Sequence, residues 1–171
     1  MFRALFARLT GDPRRGQGLF DAAVAETRPI HWFEQGDVPD TVDGRFALLS
    51  TVVALTIVRL EQFGDEGRLA SAALTERFVD TLDVELREMG LGDPTLGKQV
   101  RKLVGALGSK VERWRAVVDS DGSWSAEVRS SLLLPDDAAE GAIDHDEAQL
   151  RGLWTRLKAS SLGNIASGRI P

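Results

Sequence analysis

Residues 90–100 read GLGDPTLGKQV, and two folds compete for them. From Gly92 to Lys98 the spacing is G-x-x-x-x-G-K, the skeleton of a loop that cradles phosphates between a buried strand and a helix. Such a loop ends in Lys followed by Ser or Thr, whose hydroxyl holds magnesium, and it turns backbone N–H groups toward the anion. Here Gln99 follows Lys98, Asp93 adds a carboxylate where phosphates would sit, and Pro94 lacks an N–H. The residues before the turn place Leu74, Phe78, Leu82, Leu86 and Met89 at steps of four and three, with Asp80, Asp83, Glu85, Arg87 and Glu88 on the remaining faces. That is a helical period, whereas a central parallel strand is a short unbroken apolar run. Gly90 then supplies a left-handed helix end, Asp93 an N-cap and Pro94 a first-turn residue. The stretch reads as helix, tight turn, helix, and a nucleotide hydrolase built on Gly92 to Lys98 is the minor alternative.

Working outward, the upstream helix spans about Leu69 to Met89, and the one after the turn carries Leu96, Val100, Leu103, Val104, Leu107, Val111 and Trp114 on one stripe. Gly97, Gly105 and Gly108 lie inside that second helix at a cost. Close approach of another backbone at Gly105 and Gly108 is one reason to keep them, and local flexibility near a hinge is the other. Farther upstream, Val42 to Phe63 is apolar around most of its circumference and is expected at the centre of a bundle. Its core, FALLSTVVALTIV (Phe46 to Val58), has 13 residues, too few for the ~20 that cross a bilayer.

Shorter helices are expected over about Gln17 to Thr27, stopped before Pro29, and about Trp124 to Leu134, stopped by Pro135. Another is expected over about His145 to Ser160, capped by Asp144 with Glu147 three residues on. Residues 162–171 read as a loose tail. MFRALFARLT at the start packs as a helix through Phe2, Leu5, Phe6 and Leu9, or uses the same face with Arg3 and Arg8 at a membrane surface. No segment alternates with period two over a useful length. The expectation is an all-α, single-domain bundle of about six to seven helices spanning 1–171.

The chain has 171 residues, no cysteine and a net charge of -5. Disulfides, thiolate metal sites and a cysteine nucleophile are excluded, and a chain this acidic with dispersed Lys and Arg offers no dominant basic face for specific nucleic-acid binding. No cofactor is assigned, because His31 has no second His at metal spacing and one imidazole cannot hold a metal or haem alone. Trp32 and Phe33, in the connection PIHWFEQGDVPDTVDG, either anchor an apolar partner or cover the bundle.

Two stretches taken together, VPDTVDGRF (Val38 to Phe46) and FVDTLDVELREMGLGDPTLGKQV (Phe78 to Val100), resemble the ubiquinol-cytochrome c chaperone family: mitochondrial assembly factors for the cytochrome bc complex and their alphaproteobacterial relatives. The resemblance runs over roughly residues 20–114. Matching positions are Val38, Pro39, Asp40, Thr41, Asp43, Gly44, Arg45 and Phe46, then Asp83, Leu86, Arg87, Glu88, Met89, Gly90, Gly92, Asp93, Gly97 and Lys98. Two departures stand out: Ser109 replaces an Arg, and LLSTVVAL lacks a His that many relatives carry there.

What the resemblance implies is a non-enzymatic assembly chaperone that binds newly made cytochrome b, or its nascent chain, before it joins its partner subunits. It implies a cytoplasmic protein acting at the inner face of the cytoplasmic membrane, in peripheral contact with it. In mitochondria such factors also work with a small helper protein and near the ribosome. The partner-binding residues carried over are Pro39, Asp40, Asp43, Gly44 and Arg45 from the first motif, and Asp83, Arg87, Glu88, Gly90, Gly92, Asp93 and Lys98 from the second. The rival class is a helical adaptor with a different client.

The residues leave two points open. Asp83 and Arg87, four apart on one helix, form either a structural brace or a clamp for a partner. Likewise the acids Asp80, Asp83, Glu85 and Glu88 and the bases Lys98, Arg101, Lys102, Lys110, Arg113 and Arg115 either dock the two helices together or form solvated faces.

Overall fold

The computed structural model of the chain describes residues 15–170 apart from 89, 91 and 121, so the expected helix over MFRALFARLT lies outside the described residues. The elements are α1 (Gln17–Glu26), α2 (His31–Glu34), α3 (Val42–Glu61), α4 (Gly64–Glu88), α5 (Asp93–Asp119), α6 (Trp124–Ser131), α7 (Glu140–Ala159) and α8 (Leu162–Ala166). No strand occurs among the described residues, and the all-α expectation holds.

α3 is the axis because from Phe46 to Val58 its sequence leaves no charged side to face water. Leu48, Val52, Val53, Ala54, Leu55, Ile57, Val58 and Leu60 are all buried, and α1, α4, α5, α6 and α7 pack around them. Its buried hydroxyls are satisfied along the helix itself: Thr51 Oγ1 donates to Ala47 O at 2.7 Å and Thr56 Oγ1 to Val52 O at 2.8 Å. Thr41 caps the first turn, its Oγ1 accepting from Gly44 N at 3.1 Å.

α4 begins five residues earlier than its apolar pattern suggests. Gly64, at φ 68, makes the corner after α3, and Asp65 and Glu66 suit the positive end of the new helix. A Cβ on Gly67 would lie 1.8 Å from Leu60 O, so that glycine lets the two helices meet at the corner rather than breaking either. At the far end, Gly90 has φ 86 and its N–H donates to Arg87 O at 2.9 Å, as a left-handed helix end requires. The cap of α5 falls on Gly92, one residue before the expected Asp93; Asp93 and Pro94 are the first helical residues.

Leu96, Leu107, Val111 and Trp114 of α5 are buried as the stripe predicts. Gly105 and Gly108 do not meet a backbone: among the described residues nothing lies within 4 Å of a Cβ at either. Of the two readings of these glycines, close approach of another backbone is therefore corrected.

α7 also starts five residues early, at Glu140, because Ala142 and Ile143 continue the buried stripe toward its N-terminus. Its cap is Ala139, not Asp144. Glu147 accepts instead from Ser125 Oγ at 2.5 Å and from Arg151 Nε at 2.7 Å. The tail is not loose: Ser161 caps α8, Ile165 is fully buried, and a Cβ on Gly168 would lie 2.2 Å from Gly18 O of α1. Among the described residues no helix is long and apolar enough to cross a membrane.

Candidate functional site

VPDTVDGRF builds the entrance to α3. Val38 is buried, and Gly44 is needed because a Cβ there would lie 1.9 Å from Pro39 O. Pro39 and Gly44 are therefore packing partners of each other. Asp40 and Arg45 are largely exposed and paired, with Arg45 Nε donating to Asp40 Oδ1 at 2.7 Å. The Arg45 guanidinium stands 4.7 Å from the centre of the Phe33 ring, which lies half-buried in α2. Asp43 is exposed in the first turn of α3, where a negative charge suits the helix end. Trp32 is buried and donates through Nε1 to Glu26 O at 2.9 Å, so it covers the bundle rather than anchoring a partner.

The second motif forms the end of α4 and the start of α5. Arg87 Nε donates to Asp83 Oδ2 at 2.7 Å, with the two side chains 54% and 41% exposed. A surface pair of this kind is worth about 0 to 1 kcal/mol, so it is no buried brace. Glu88 and Lys98 are exposed, while Gly90 and Gly92 act through their backbones at the turn. Gly97 and Lys98 lie inside α5, so the segment from Gly92 to Lys98 is not the loop that the hydrolase alternative requires.

The two motifs meet across a groove of about 390 Å³ between α3, α4 and α5. Its apolar wall is made by Phe46 and Leu49 of α3, Phe78, Leu82 and Leu86 of α4, and Leu103 of α5. Asp43, Arg45, Glu85 and Gln99 supply polar groups around it. Among the carried-over residues, Asp43 and Arg45 therefore line the groove, whereas Asp83, Arg87, Glu88 and Lys98 stand on the surface beyond its lining. A second groove of about 440 Å³ lies on the other side of Asp43 and Phe46, between α3, α5 and α6, with Ala106, Ser109 and Leu133 in its wall. The pair of grooves follows α5 from Gln99 to Arg113, a length of about 21 Å at the rise of an α-helix.

The basic residues of α5 do not form one docking face. Arg113 Nε donates to Glu127 Oε1 of α6 at 3.0 Å, and Arg115 pairs with Glu61 of α3 and Glu112 of its own helix. Lys110 is buried at the edge of the second groove. Its Nζ donates to Ser50 Oγ at 2.8 Å, Ser131 O at 2.9 Å, Ala47 O at 3.0 Å and Thr51 Oγ1 at 3.1 Å, tying α3, α5 and α6 together. Burial pushes the ammonium down to about 7, with Arg113 adding to the effect and Glu127 opposing it. Two carbonyl acceptors nevertheless favour the charged form that can donate to them.

Sequence reading left Lys110 among cations that either dock the two helices together or face solvent, although it falls three residues after Leu107 and four before Trp114, on the apolar stripe. Asp146 was missed in the same way, three residues after Ile143 and four before Leu150. It is fully buried and neither carboxylate oxygen has a hydrogen-bond partner. The expectation that His31 stands alone is corrected too: its Nδ1 lies 3.0 Å from Nε2 of His145, 114 residues away. Linear spacing carries no signal for such a pair.

The family model described as Ubiquinol-cytochrome C chaperone matches residues 34–169, extending the likeness well past Trp114 and through α8. A crystal structure of the Cbp3 homolog from Brucella abortus is similar with a TM-score of 0.76 at 23% identity, covering 99% of this chain and 95% of that one. At this identity the likeness is one of fold. No curated protein matches the chain.

Proposed function

Because the chain belongs to the ubiquinol-cytochrome c chaperone family, we propose that it binds newly made cytochrome b and holds it for assembly into the ubiquinol-cytochrome c reductase complex. The observation that supports this reading is the groove beside Phe46, where VPDTVDGRF and the end of α4 come together around an apolar wall with charged groups at its margin. An apolar client segment laid along α3 and α5 removes its own surface and that of Phe46, Leu49, Leu82 and Leu103 from water, at about 25 cal/mol per Å². Asp43, Arg45 and Glu85 set its register through charge, and Asp83 and Arg87 extend the polar margin one turn along α4. Binding is stoichiometric, without turnover, and release follows when partner subunits cover the same client surface. The protein acts in the cytoplasm at the inner face of the membrane, where its client is inserted.

The test places a photocrosslinking residue at Glu85, and in a control at Lys158 on the far end of α7, in cells that assemble the complex. Cytochrome b trapped from Glu85 and not from Lys158 is the expected result. Trapping of a different chain at Glu85 would replace this reading with that of an adaptor, and equal trapping from both positions would remove the groove from the site.

A further inference from the structure

The connection between α1 and α3 is held down by contacts whose chemistry depends on protons. His31 opens α2 and faces His145 of α7 through ring nitrogens 3.0 Å apart, with the two rings edge to face. Two imidazoles can share that contact only when one nitrogen donates and the other is bare. Once both rings are protonated, two N–H groups and two positive charges face each other, and the contact is lost. Five residues on from His31, the turn rests on α7 a second time: a Cβ on Gly36 would lie 1.9 Å from Asp146 Oδ1, so the backbone sits directly on that buried carboxyl.

The same segment reaches the groove. Phe33, two residues beyond His31, lies under the Arg45 guanidinium, and Arg45 lines the groove beside Asp43 and Phe46. Release of α2 from α7 therefore removes the ring on which Arg45 rests and leaves its guanidinium held by Asp40 alone. We infer that His31 and His145 form an acid-sensitive latch, which seats residues 31–37 on α7 at neutral pH and loosens that seat, with the groove margin it supports, when both imidazoles are protonated, while Trp32 stays anchored in the core.

The surrounding charges leave this step to the imidazoles. Burial, and then the neighbouring His145, hold His31 below the usual histidine range, so the second proton enters on the acid side of neutrality. Asp146, pushed up to about 8 by burial and by Asp37, is already protonated there and does not change. On the neighbouring elements Glu26 of α1 is paired with Arg156, Asp40 with Arg45 of α3, and Glu147 of α7 with Ser125 and Arg151. None of these pairs includes an imidazole.

Amide hydrogen exchange at pH 7 and pH 5, corrected for the intrinsic pH dependence of exchange, reads the latch without any client. Gly36 N–H donates to His31 O and Val38 N–H to Trp32 O, both at 3.1 Å, so the two amides report closure directly. The expected result is a loss of protection at Gly36 and Val38 at pH 5 relative to pH 7, while amides of α3 stay protected. His145→Gln offers an amide oxygen that accepts from His31 in either charge state, and with only the burial of His31 left to act, its loss of protection at pH 5 should be smaller than that of the parent. Should that variant not fold, His31→Asn serves the same purpose. Unchanged protection in the parent, an equal acid loss in the variant, or simultaneous loss along α3 would each overturn the latch. The step from latch to client rests on the proposed groove, and crosslinking from Glu85 that is strong at pH 7 but equally strong at pH 5 would break that step alone.

Discussion

The rings of Phe46 and Phe78 lie 5.5 Å apart and tilted by 30°, joining the second turn of α3 to the middle of α4. The contact fixes the distance between the two walls of the main groove, and Phe46 also divides it from its neighbour.

Phe46→Ala should merge the two grooves and lower stability by about 2 kcal/mol, less than a fully buried ring because Phe46 is only half-buried. Urea unfolding measures that loss, and capture of cytochrome b by the folded fraction should fall with it. Phe46→Leu should keep stability within about 1.5 kcal/mol. If Phe46→Ala captured the client as well as the parent, the wall between the grooves would not matter.

The exposed Asp83–Arg87 pair separates stability from binding. Arg87→Ala should cost no more than about 1 kcal/mol and leave circular dichroism unchanged. Capture of cytochrome b should nonetheless fall further than in Lys158→Ala. A loss of several kcal/mol would mean that Arg87 holds the helix turn together, and full capture by a folded variant would take this turn out of the binding surface.

Lys110 and Asp146 make stability depend on pH in opposite senses. Unfolded, Lys110 keeps its proton up to 10.5, whereas folded it releases it near 7, so between those values the unfolded chain binds more protons and stability climbs with pH. Asp146 holds its proton to about 8 when folded but only to 3.8 when unfolded, so its contribution is complete below 3.8 and declines as pH rises toward 8. Lys110→Met should abolish the alkaline rise, on the order of 4 kcal/mol up to pH 10, and Asp146→Asn should abolish the earlier decline. Denaturation midpoints from pH 4 to 10 measure both; a parent curve that is flat above pH 7 would show that the four acceptors hold Lys110 charged throughout.

Gly105→Ala should raise the melting temperature, gaining about 1 kcal/mol, because Ala is favoured inside a helix and nothing described lies where its methyl goes. Gly90→Val, placed at φ 86, should lose at least about 1 to 2 kcal/mol. Gly105→Ala that is more stable yet poorer at client capture would show that a bound partner occupies this open face of α5.

The helical class and the central place of α3 were legible because Phe46 to Val58 is apolar in every direction, a pattern that only burial on all sides accommodates. The turn at Gly90 was legible for the same local reason, a left-handed position that favours glycine. The starts of α4 and α7 were not. Gly67 and Asp144 resemble breaks when read locally, but close packing at Leu60 and the buried Ala142 and Ile143 carry each helix through them. Lys110 was grouped by residue type with the surface bases and Asp146 went unread, although their positions on the apolar stripes were available. Of the candidate site, the two motifs were visible as words, but that Asp43 and Arg45 face Glu85 and Leu86 across one groove depends on how α3 packs on α4. His31 and His145 depend on the whole chain being folded.

Packing on five sides gives α3 a further use. Its first two turns form the groove wall while the rest of it is the most enclosed of the described helices, so any ligand that presses on Phe46 is felt by an element that opens only when the whole protein does. Occupancy should then slow the exchange of amides as far away as Val58, in proportion to ligand concentration above its dissociation constant. The bundle thereby acts as its own gauge of loading, readable without a label on either molecule.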